Sequence, residues 1–144
     1  MRTIKFRAWT GKKMMCQDKQ YLASFIRRVV PQIILDHGGE DYREHESYLP
    51  NGGTIDEYLM QFTGLTDKNG KDIYERDVVR MFGWPELDII LWCDNGFYVF
   101  PLNSEDVSPS LIPHDHRGKA DSVEIIGNIY EDPEYRIGVA KDLS

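Results

Sequence analysis

The chain has 144 residues, 41% of them apolar and 28% charged, and a formal net charge of −7. That size suits one compact domain with a sizeable core, and that balance excludes a disordered or fibrous protein. No window reaches the length of a membrane-spanning helix, MRTIKFRAWTGKK lacks the apolar stretch of a secretory signal, and the acidic excess speaks against binding polyanions over the whole surface.

Ile4-Lys5-Phe6-Arg7-Ala8-Trp9 alternates with period two, which predicts a half-buried strand with Ile4, Phe6 and Ala8 on one face and Lys5, Arg7 and Trp9 on the other. Thr10-Gly11-Lys12-Lys13 supplies a turn, and Met14-Met15-Cys16 can return as the second arm of a hairpin. Residues 1–35 hold eight Lys or Arg against Asp18 alone, and residues 36–57 hold seven acids against Arg43. The two segments either neutralise one another or sit in water. The alternative is a basic docking face on which Lys5, Arg7, Lys12, Lys13, Arg27 and Arg28 contact phosphates and Trp9 stacks on a base. Tyr21 to Leu35 stays open between helix and strand, because YLASFIRRVV suits a helix whereas VVPQIIL is β-branched and interrupted by Pro31. Residues 36–57, with Gly38-Gly39, Pro50 and Asn51-Gly52-Gly53, predict a long surface loop or insertion.

The segment LMQFTGLTDKNGKDIYERDVVRMF, residues 59–82, invites three readings. A phosphate-gripping loop fails because five residues, not four, separate Gly64 from Gly70-Lys71, and Asp72 stands where a magnesium-binding hydroxyl belongs. A calcium loop counted from Asp67 fails because Gly70 comes two positions too early. What remains is a chain reversal, with Asp67-Lys68-Asn69-Gly70-Lys71 as a charged turn in water between two extended pieces. Asp77–Phe82 predicts a further strand and Gly83-Trp84-Pro85-Glu86 a turn. Asp88–Trp92 and Phe97–Phe100 flank Asn95-Gly96 as a hairpin with a type I′ turn. Residues 101–121 read as a second polar loop, Val123–Tyr130 as the last strand, stopped by Pro133, and the remainder as a frayed or packing tail.

Five or six short strands without an internal repeat imply a mainly β fold, a small and strongly bent antiparallel sheet or barrel, with a β-rich α+β fold as the alternative. Trp84, Trp92 and Tyr98 are candidate protein contacts. Cys16 and Cys93 read as buried small hydrophobes. His114 and His116 flank Asp115 but have no third ligand at zinc spacing, and His37 and His45 lie in the other polar loop. No serine sits in a nucleophile elbow, and with 24 Asp and Glu, neighbouring carboxylates are no sign of an acid–base pair. The expectation is no enzyme, no metal and no cofactor.

MRTIKFRAWTGKKM, LMQFTGLTDKNGKDIYERDVV and VEIIGNIYEDPE resemble, in this order, the three signature blocks of the YopX family, small proteins encoded by bacteriophages and prophages. The resemblance implies one mostly β domain over residues 1–144 with a barrel-like core, and it brings no catalytic residues. It also exposes a departure, since Arg76 stands where the family's middle block has glycine, which strains the backbone if that position needs positive φ. Ile4, Phe6, Trp9, Leu65, Ile73, Tyr74, Val78, Val79, Ile125, Ile126 and Ile129 are expected to form the core. The function expected is a noncatalytic accessory module of the host bacterial cytoplasm that binds a protein partner or itself as a homo-oligomer. A nucleic-acid accessory protein is the alternative.

Overall fold

The structure, a computed structural model, describes residues 3–38, 49, 55–102 and 109–136. Most of the acidic segment within 36–57, including His45, lies outside the described residues, as do 103–108 of the second polar loop and the tail from 137. Two compact units are present, Thr3–Gln61 and a second that runs on from Phe62.

In the N-terminal unit, β1 (Phe6–Trp9) pairs antiparallel with β2 (Met14–Cys16) and, on its other edge, with the first residues of β3 (Leu59–Thr66). The hairpin is as expected, but its faces are not. Ile4 precedes the strand and is 65% exposed, while Arg7 is buried beside Ala8. Alternation describes a strand with one wet face, whereas the neighbours Arg7 and Ala8, which point to opposite faces of β1, are both buried.

The open segment is a helix, α1 (Leu22–Asp36). Phe25, Val29, Val30, Ile33 and Ile34 share one stripe and pack with Ala8, Leu49 and Ile55, and that burial carries the helix through Pro31. At its end the His37 N–H donates to the Ile33 carbonyl at 3.1 Å, and the His37 ring leaves Gly11 no room for a Cβ, which would stand 2.7 Å from Cε1. Thr10 donates a hydrogen bond to Asp36 and so ties the β1–β2 turn to the helix terminus.

The C-terminal unit begins where β3 changes partner. From Phe62 onward it pairs with β4 (Asp72–Tyr74), with a register shift around Gly64, whose φ is 89°. A second antiparallel sheet, ordered β8-β7-β6-β5-β9, contains β5 (Asp77–Met81), β6 (Leu87–Cys93), β7 (Gly96–Pro101), β8 (Ser110–Leu111) and β9 (Val123–Asn128), and it curls strongly into a half-barrel. Inside lie Ile73, Val79, Ile90, Val99, Ile112, Ala120 and Val123. Val78, Ile89, Leu91, Leu102 and Ile129 form a second cluster on the other face. Burial on both sides explains why β5 and β6 read as unbroken apolar runs.

Three turns refine the expectations. The β6–β7 hairpin is present, but Cys93 pairs with Gly96, so the two turn residues are Asp94 and Asn95, with φ of 45° and 72°. That is the type I′ pattern placed one residue earlier than Asn95-Gly96. Arg76 does take positive φ, 69°, with its guanidinium 5.9 Å from the centre of the Tyr130 ring. β9 ends at Asn128, two residues before the expected Tyr130, because the Asn128 Oδ1 accepts the N–H groups of Tyr130 and Glu131 and turns the chain there.

Asp67 corrects the picture of a turn wholly in water. It is fully buried, and its carboxylate accepts N–H bonds from Asn69, Lys71 and, 58 residues away in sequence, Ile125. The same Asp-x-x-Gly-Lys spacing recurs at Asp115–Lys119 with the same bonds: the carboxylate accepts from Arg117 and Lys119, and the Gly118 N–H donates to the Asp115 carbonyl. The two loops lie side by side, with the Thr66 N–H donating to the Gly118 carbonyl and the Ala120 N–H to the Thr66 carbonyl. The same five-residue turn is therefore built twice, although it is far shorter than a structural repeat. The cysteines also differ from expectation: Cys16 is exposed and Cys93 half-buried, because both sit at strand ends.

Candidate binding site

The connection between β5 and β6 builds the most distinctive surface of the C-terminal unit. Trp84 donates its N–H to the Met81 carbonyl at 2.9 Å, and Gly83, at φ 77°, takes the position that a type II turn reserves for glycine. Phe82 donates its N–H to the Ser122 carbonyl at 2.7 Å, which fixes the turn to the residue before β9. The bulky residues of the turn consequently point outward. Phe82 is 90% exposed and Trp84 59%. Pro85 disfavours helical backbone at Trp84.

A hollow opens on each side of this ridge. The smaller, about 380 Å³, has Lys68, Arg80 and Glu124 on its wall, and Lys68 pairs with Glu124 at 3.4 Å. The larger, about 550 Å³, is lined by Glu86, Asp88, Val99, Pro101, Ser110 and Pro113 together with Phe82 and Trp84. Asp88 is the unusual member. It is 7% exposed, and among the described residues its carboxylate has no hydrogen-bond or ion-pair partner. Burial, then the charge of Glu86, pushes its pKa up to about 6.

A third hollow, about 490 Å³, is bordered by Phe97, Leu111, His114, His116 and Arg117. The His114 Nδ1 is 2.8 Å from the Ile112 carbonyl, which engages one of its two ring nitrogens locally. Among the described residues no three His, Cys, Asp or Glu side chains converge as metal ligands. The Asp115 carboxyl is held below its usual range by the backbone N–H groups of Lys119 and Arg117, a consequence of the loop geometry.

The aromatic contacts expected from the sequence are separated by the fold. Trp84 stands at one end of β6; Trp92, 48% exposed, stands near the other, edge-on to Phe97 at 4.8 Å. Tyr98 is half-buried opposite Leu91. Phe82 was hidden in the sequence because it reads as the last residue of a strand, although Phe-Gly-Trp-Pro, with glycine and proline both within four residues, could have marked it as a turn. The basic residues belong to the N-terminal unit. Lys12, Lys13, Arg27 and Arg28 are exposed, Lys5 is half-buried and Arg7 is buried. Arg28 donates to the Cys16 carbonyl at 3.3 Å and lies 5.6 Å from the centre of the Phe25 ring, so part of the expected face serves the packing of α1.

A family model described as YopX protein matches residues 5–135. Among solved structures, the crystal structure of protein EF1440 from Enterococcus faecalis is similar at 22% sequence identity and a TM-score of 0.47, covering 93% of this chain and 98% of that one. No curated protein matches the chain.

Proposed function

The chain belongs to the YopX family, and from that premise we propose that it is a noncatalytic accessory protein of phage or prophage origin that acts in the host cytoplasm by docking another protein. The observation that carries the reading is the Phe82–Trp84 turn, where two large aromatic side chains are held outward by backbone hydrogen bonds between two hollows. Solvating such residues is unfavourable, and adjacent exposed aromatics beside pockets are typical anchors of protein interfaces.

The test is a photo-crosslinking residue placed at Phe82 in the host cell, with one at Tyr21, 87% exposed in the N-terminal unit, as control. A discrete protein adduct is expected at Phe82, weakened by Trp84→Ala and lacking at Tyr21. Equal adducts at the two positions, or none at Phe82, overturn the reading. The mass of the adduct tells whether the docked protein is a second copy of this chain.

A further inference from the structure

The larger hollow carries a statement about what docks there. Asp88 lies on the inward stripe of β6, next to Ile90, and its cross-strand partners are Val79 and Pro101. A carboxylate so placed gives up part of its water without gaining a protein donor, and what water it keeps lies on the hollow side, an arrangement that favours a cation arriving from outside. The surroundings suit one kind of cation. Glu86 adds a second negative charge, Trp84 and Phe82 offer aromatic faces, and Pro101 and Pro113 offer apolar walls. A guanidinium or ammonium group gains from a carboxylate and an aromatic face together, and its aliphatic stem packs on proline and aromatic carbon. A bare metal ion would want several oxygen ligands at close range, whereas this hollow of about 550 Å³ is mostly apolar wall. Asp88 and Glu86 are the ionisable groups among its described lining residues.

We propose that the hollow between the Phe82–Trp84 turn and Asp88 receives an arginine or lysine side chain presented by an extended segment of the partner protein, with Asp88 as its counter-ion. The inference rests on the protein-docking reading and gives that partner a chemistry. The elevated ionisation range of Asp88 adds a signature: recognition strengthens as pH rises through about 6, where the empty site loses its proton.

The probe is a pair of capped pentapeptides, Gly-Ser-Arg-Ser-Gly and the same peptide with citrulline, which keeps the shape of arginine without its charge. Binding is followed by NMR shifts of the Trp84 indole N–H and of the Asp88 and Ser110 backbone. The arginine peptide is expected to move these signals at pH 7.5 and the citrulline peptide to leave them still. Asp88→Asn should weaken binding at least tenfold with the spectrum of the fold preserved, and lowering the pH to 5 should weaken it likewise. Glu57→Gln, the same loss of charge in the other unit, should change nothing. Equal binding of the two peptides, equal effects of Asp88→Asn and Glu57→Gln, or undiminished affinity at pH 5 overturns the inference. If the Phe82 adduct persists in Asp88→Asn, the turn still docks a protein and only the cationic side chain is ruled out.

Discussion

Asp88 and Asp67 are both buried acids of the C-terminal unit, and the difference between them separates architecture from binding. Asp67 spends its carboxylate on three backbone N–H groups and stitches the β3–β4 turn to β9. Asp88 has no such partner among the described residues, so its ionised form opposes folding. The sign follows from linkage. A folded-state pKa of about 6 lies above the ordinary aspartate value of 3.8, so between these values the folded chain binds more protons than the unfolded one. Stability from this group therefore grows as pH falls from 7 through 6 and levels off near 4. Asp36 and Asp115 are shifted the other way, Asp36 chiefly by the Thr10 hydroxyl, and they lose stability only as pH falls below the ordinary carboxylate range. Asp88→Asn is expected to stabilise the protein at pH 7 by about 1–2 kcal/mol, allowing for solvent screening, and by much less at pH 4.5. Urea unfolding of both proteins at the two pH values checks this. A variant less stable than the parent at pH 7 would contradict the assignment of Asp88 as an unpaired charge.

The twin Asp-x-x-Gly-Lys loops allow a comparison between elements of nearly identical design. Gly70 and Gly118 have φ of 80° and 81°, so alanine meets the same backbone strain in both. Their surroundings differ: a Cβ at Gly70 has open space, whereas one at Gly118 would stand 3.0 Å from the Gly64 carbonyl oxygen in the bulge of β3. Gly70→Ala is expected to cost about 1–2 kcal/mol from left-handed backbone alone, and Gly118→Ala distinctly more. Equal losses in thermal or urea unfolding would show that the bulge yields and that the loops do not depend on one another. These loops also show what the sequence reveals. The reversal at Asp67–Lys71 is legible because Asn-Gly and its charges are local signals. Its repetition at Asp115 is obscured by the flanking histidines, which draw the eye to metal chemistry. The strands around Ile73, Val79 and Ile90 are legible from β-branched runs, whereas α1 is not, since Pro31 and Val29-Val30 argue against a helix that only packing on Ala8 and Ile55 secures. The burial of Arg7, the exposure of Ile4 and the approach of Phe82, Trp84 and Asp88 to one hollow depend on which strands pair, and no local pattern encodes that.

At the scale of the whole molecule the open question is whether the basic N-terminal third outweighs a net charge of −7. Phosphate binding needs cations that are free to reach a strand and to release its counterions. Arg7 is buried, Arg28 is tied to the Cys16 carbonyl, and Lys12 and Lys13 stand close enough to Asp36 to favour its charged form. The usable positive face is thus thinner than eight Lys and Arg suggest, and acidic residues elsewhere add a repulsive field. At physiological salt the protein is expected to form no complex with a labelled single-stranded oligonucleotide at protein concentrations up to about 100 µM, the weak end of nonspecific binding. A complex at lower concentration that dissolves steeply with added salt, and that Lys12→Gln/Lys13→Gln/Arg27→Gln abolishes while Trp84→Ala does not, would move the function from the Phe82–Trp84 turn to the N-terminal unit. Loss of that complex in Trp84→Ala but not in the triple variant would instead make the nucleic acid a ligand of the turn itself.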